Sequence, residues 1–154
     1  MHSHQIFNDS YRRCLKHERF FDVFYNIFWC RDERFRKMFK GVDMARQIKM
    51  LKFSISMLML CATSANAREA ILLYGCRHGS SGPGGIGATA ADYDIWLDCL
   101  IDTVELCDPK FDESVAAAWR HCFASGIAIM KEECETVSRR ADEQTSTSEI
   151  HPDL

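Results

Sequence analysis

Six histidines and eight cysteines are the side chains of this 154-residue chain most able to ligate a metal or to act as nucleophiles. A neutral imidazole is the commonest protein ligand for a transition metal. His2, His4 and His151 sit in the chain ends, and His121 follows Trp119. His78 stands immediately before Gly79–Gly87, where most of the glycine and proline is concentrated. Taken alone, a histidine beside a flexible loop is ordinarily a surface residue. The cysteines lie at positions 14, 30, 61, 76, 99, 107, 122 and 134 with no CxxC pair, which reads as reduced core thiols in a cytoplasmic protein. Cys76, two residues before His78, could be a redox-sensing thiol, but it reads more simply as a small buried hydrophobe. The glycine-rich stretch does not make a phosphate loop, because no strand precedes it and no Gly-Lys-Ser/Thr follows.

The elements that must position these groups are helices, since no segment sustains strand-like alternation. The pattern predicts a first helix over 5–17 and a second over 18–29 that carries Phe21, Phe24, Tyr25 and Phe28. A short turn of helix follows over 32–39. Asp43 is placed to cap a long helix whose apolar stripe is Met44, Ile48, Leu51, Ile55, Leu58 and Met59. Gln47 lies at the edge of that stripe. A further helical run ends near Tyr74. Beyond the loop, Tyr93, Trp96, Leu97, Leu100, Ile101 and Val104 mark an amphipathic helix stopped by Asp108-Pro109. The last helix begins near Asp112, carries Val115, Trp119, Cys122, Gly126, Ile129 and Met130 on one face, and runs to about Arg140. The expected organisation is one all-α domain over 1–140 and a disordered tail over 141–154, where apolar content is too low to pack.

Composition narrows the function. With 47% apolar and 27% charged residues the chain is an ordinary globular domain, long enough to enclose a pocket. A net charge of −3, with bases interleaved among acids as in Arg31-Asp32-Glu33-Arg34, gives no attraction for phosphate backbones, so no nucleic-acid partner is expected. The most apolar stretch, 53–62, is about half the length a membrane span needs, and the start has no signal-peptide pattern. A cytoplasmic protein without membrane contact is expected.

The order of several segments is more specific than any one of them: Phe24-Tyr25-Asn26-Ile27-Phe28, Phe39 before Asp43-Met44-Ala45-Arg46-Gln47, Cys76-Arg77-His78, and 108–119. Together they resemble the bacterial-type globins, a group that includes single-domain bacterial haemoglobins, flavohaemoglobin haem domains and globin-coupled sensors. The resemblance covers about residues 8–135. It implies a globin fold of about seven helices around one haem pocket, with haem b as cofactor and His78 as the proximal metal ligand. Gln47 and His78 lie 31 positions apart (78 − 47), close to the family's distal-to-proximal separation. The resemblance makes Tyr25 and Gln47 distal hydrogen-bond donors, Phe39 a haem-packing ring, and Leu51 a neighbour in the same pocket. Tyr93 and either Glu132 or Glu133 look like the family's proximal tyrosine and glutamate, which make the ligand imidazole more electron-donating. The corner between His78 and Tyr93 is longer than is usual.

Such a pocket implies binding of oxygen or nitric oxide, and three uses of it differ in class. One is reversible oxygen binding for transport or storage. Another is gas or redox sensing through a separate signalling partner. The third is nitric oxide dioxygenation, which yields nitrate and ferric haem and therefore requires a separate reductase. No catalytic residue is assigned, and a monomer or a homodimer would serve equally. A non-haem reading also stands, in which the same helices form an interaction module.

Overall fold

Asp43 shows how locally the architecture is written. Its carboxylate accepts hydrogen bonds from the backbone N–H groups of Ala45 (3.1 Å) and Arg46 (3.4 Å), satisfying two donors that have no partner inside the helix. The helix it starts carries Gln47 and Leu51. Asp32 caps the short preceding helix in the same way, accepting from Arg34 N–H at 2.8 Å. In the computed structural model, which describes residues 2–61, 64–79 and 88–148, the described residues form seven helices. These are α1 (Ser3–Leu15), α2 (Phe20–Arg31), α3 (Glu33–Met38), α4 (Met44–Leu60), α5 (Ala65–Gly79), α6 (Ala90–Cys107) and α7 (Glu113–Ser148). Between α3 and α4, Gly41 has φ of 77°, a left-handed conformation that a side chain would strain.

Two helix ends depart from the sequence-based expectation. α5 does not stop near Tyr74 but continues to Gly79, so His78 lies in its last turn. No proline interrupts 65–79, and a single interior glycine such as Gly75 costs a helix only about 1 kcal/mol. α7 runs past residue 140 to Ser148. Residues 141–146 are all exposed, so the extension is held by its own backbone bonds rather than by packing. Residues 149–154 of the expected tail, and 80–87 of the glycine-rich stretch, lie outside the described residues.

α7 is the hub, packing against α1, α4, α5 and α6, while α2 packs on α6 and α3. Its core face is close to the one the periodicity picks out: Val115, Trp119, Cys122 and Met130 are buried, but Ile127 is buried in place of the expected Ile129, which is only half-buried. Trp119 makes edge contacts with Phe7 and Phe123 at 4.6 and 5.7 Å between ring centres, and its indole N–H donates to Ser10 Oγ at 2.9 Å. Ser10 in turn donates to Asp108 Oδ2 at 2.7 Å. Arg13 grips the same carboxylate with two bonds, at 2.6 and 2.9 Å, and Lys110 N–H adds a third partner at 2.9 Å. Asp108 therefore ends α6 and, through Ser10 and Arg13, ties the α6–α7 corner to α1.

α4 crosses α7 at Gly126. A Cβ built there would lie 2.5 Å from Leu58 Cδ2 and 3.2 Å from both the Leu58 Cα and its carbonyl oxygen. The Leu58 side chain could turn aside, but its backbone could not. Gly126→Ala should therefore lift α4 and lower stability by about 1–3 kcal/mol, measured by urea denaturation. Unchanged stability would show that the two helices separate freely.

Candidate functional site

α2, α3, α4, α6 and α7 enclose one apolar cavity of about 190 Å³. Phe24 and Phe28 of α2 project into it because residues four apart share a helix face. Phe28 stacks on Phe35 of α3 with ring centres 4.2 Å apart. Phe39 closes the corner after α3, its ring 5.6 Å from that of Tyr25. α4 lines the cavity with Gln47, Leu51, Ser54 and Leu58, whose spacing of three to four residues keeps them on one face. α6 adds Tyr93 and Trp96, and α7 adds Ile127 and Met130.

The structure thus brings together Tyr25, Phe39, Gln47, Leu51 and Tyr93, five residues that the sequence scatters over 69 positions (93 − 25, inclusive). His78 sits in the last turn of α5, and its side chain lies outside the described residues. Glu132 is exposed and Glu133 half-buried. Neither lines the cavity.

Polar groups reach the cavity at two places. On the α2–α4 side the Tyr25 hydroxyl donates to the backbone carbonyl of Gln47 at 3.3 Å, long for an O–H···O bond. Gln47 itself is half-buried. On the α6 side the Tyr93 hydroxyl is buried with no hydrogen-bond partner among the described residues. Burial, then nearby Cys134, then Asp92 push its phenol well above the ordinary value, so it remains a proton donor in search of an acceptor. An orphaned donor of this kind costs about 1–3 kcal/mol unless something supplies the missing acceptor.

Asp92 is the cavity residue that the sequence did not reveal. Its carboxylate accepts from Thr89 N–H at 2.9 Å and pairs with Arg34, joining α3 to α6. Its side chain is 9% exposed while that of Arg34 is 44% exposed, so the pair leads from the cavity wall to solvent. In sequence Thr89-x-x-Asp92 reads only as a helix cap, and Arg34 as one more base in a mixed-charge run. Nothing local signals that they meet.

This arrangement of helices has a solved counterpart. The crystal structure of protein PA3967 from Pseudomonas aeruginosa PAO1, described as structurally highly homologous to a human hemoglobin, matches with a TM-score of 0.76 and 28% identity. The match covers 86% of this chain and 98% of that one. The chain has the globin fold. Its resemblance to bacterial globins, first carried by four short motifs, thus extends to the arrangement of its helices in space. No protein-family model matches the sequence, and comparison with curated proteins finds no match. Among the described residues of this globin fold, no helix is long and apolar enough to cross a membrane.

The residues present suit a flat, largely apolar group with polar edges. Aromatic and aliphatic walls would cover its faces, and Tyr93 offers a buried donor without an acceptor among the described residues. At about 190 Å³ the cavity is smaller than the roughly 300–1,000 Å³ of typical small-molecule sites, so a group the size of haem would require its walls to part.

Proposed function

We propose that the chain is a haem protein that binds oxygen or another diatomic gas, with His78 as the iron's axial ligand and Tyr25 and Gln47 as hydrogen-bond donors to the gas. The observation that carries the reading is the convergence of Tyr25, Phe39, Gln47, Leu51 and Tyr93 on one cavity within a globin fold. Haem b, when bound, supplies an iron centre able to ligate oxygen or nitric oxide. The protein supplies the rest. Phe39 and Leu51 would pack against the group and exclude water, and His78, in the last turn of α5, would hold the iron through its imidazole.

Tyr25 gives direction to the gas side of the pocket. Its hydroxyl, which donates to the Gln47 carbonyl at 3.3 Å, would turn to donate to a polar gas held there. Gln47 offers amide N–H donors on the same side, and unlike a histidine it does not titrate. Tyr25→Phe removes one donor while keeping the ring, so oxygen release from the haem-loaded protein should quicken about tenfold, the equivalent of one hydrogen bond of about 1.4 kcal/mol. Stopped-flow oxygen displacement measures this. An unchanged rate would mean that the Tyr25 hydroxyl stays with the Gln47 carbonyl.

We further propose that oxygen carriage is separated from catalysis by a single assay. Nitric oxide consumption beyond one turnover in the presence of an added reductase would assign a dioxygenase. Consumption that stops at one equivalent would assign a carrier or a sensor acting through another chain.

A further inference from the structure

We infer that the groove between the end of α1 and the α6–α7 corner is a binding site for a small phosphate-bearing anion. It is lined by Asp9, Arg12, Arg13, Lys16, His17 and Lys110, among others, and measures about 660 Å³, within the range of small-molecule sites. It is separate from the aromatic cavity. From Trp96, which lines that cavity, to Cys107, which lines the groove, α6 advances eleven residues, or about 16 Å at 1.5 Å per residue.

The charges in the groove are unevenly committed. Arg13 is held in its two bonds to Asp108, so that pair contributes little net charge. Arg12, Lys16 and Lys110 form no salt bridge among the described residues; the seven ion pairs found there involve other bases. Among the residues that line the groove, Asp9 is the one carboxylate left to oppose these three cations, with Asp112 close enough to act on Arg13. Arg12 of α1 and Lys16, the helix's C-cap in a helical conformation, stand four residues apart and so share a face, and Lys110 approaches from the other wall. All three are exposed. In a chain of net charge −3, this is a local surplus of positive charge.

The remaining polar group fits the same ligand. His17 Nδ1 accepts from Arg19 N–H at 3.3 Å, so in the neutral ring the proton sits on Nε2 and the free nitrogen is a donor. Arg12 offers a planar fork, Lys16 and Lys110 offer point charges, and His17 adds one N–H. Three unpaired cations around one concavity match a ligand with two or more closely spaced negative charges, which pyrophosphates and phosphate esters carry and a single carboxylate does not. A phosphate group could come from a soluble anion or from a lipid headgroup, and the two sources are distinguished by titration with pyrophosphate and with phospholipid vesicles.

Calorimetric titration of the full-length protein with sodium pyrophosphate tests this. The expected result is saturable binding at one site that weakens as chloride is raised. Lys16→Gln and Lys110→Gln should each lower the affinity about tenfold, a loss typical of one charged contact. Lys37→Gln, which removes a lysine paired with Glu33 on α3, should leave it unchanged. Both groove lysines are exposed, and a circular-dichroism spectrum confirms that the variants fold. The inference is overturned by non-saturable heats, by equal losses in all three variants, or by binding only to vesicles of anionic phospholipid with none to pyrophosphate. Because haem is not required, failure here would leave the haem reading untouched.

Discussion

Replacing His78 with alanine should lower haem affinity by more than the roughly 10–100-fold that loss of an outer partner of a metal ligand costs, because it removes the ligand itself. The spectrum should change with it. A haem retained by apolar contacts alone would have no protein imidazole on the iron. Free imidazole added to the variant should then restore the axial bond and the wild-type spectrum. This rescue separates a ligand from a residue that merely supports the end of α5. A structural role would give a destabilised protein that imidazole does not repair.

Asp108→Ala should be the most damaging single change outside the cavity. The side chain is fully buried, with 0% of its surface exposed, and it accepts from Arg13, Ser10 and Lys110. Removing one partner of a buried pair leaves the other uncompensated and costs about 3–5 kcal/mol. Here the loss also frees Ser10, on which the Trp119 indole N–H depends. Burial pushes the Asp108 carboxyl up, but the bonds from Arg13, Ser10 and the Lys110 backbone outweigh it and hold the group below the ordinary aspartate range. A carboxyl so lowered adds stability above the ordinary value of about 3.9, and that stability is lost as pH falls through the lower native value. Urea denaturation as a function of pH should show this acid-side loss in the wild type. In Asp108→Ala it should be diminished, with stability low throughout.

What the sequence revealed, and what it hid, follows from the range of the interactions. Asp43 and the stripe from Met44 to Met59 are local signals, and α4 begins where they place it. The buried face of α7 was legible for the same reason, down to Gly126. The end of α5 was not, because a glycine at position 75 reads as a stop unless the surrounding helix is long enough to carry it. The extent of α7 was misjudged because low apolar content argues against packing, not against helix formation. In the cavity, motif order placed five residues that the fold brings together. It did not show that the Tyr25 hydroxyl rests on a backbone carbonyl, nor that Asp92 and Arg34 meet across α6 and α3. Those are tertiary contacts between residues 22 and 58 positions apart, which no local pattern encodes.

The central claim is that this cavity holds one haem through His78. Titration of the haem-free protein with haem, followed by absorption at the blue edge of the visible spectrum, tests it most directly. The account predicts an intense band that grows to a sharp end point at one haem per chain, and a different spectrum for His78→Ala under the same conditions. No saturable band in the wild type, or an identical band in the variant, would contradict it.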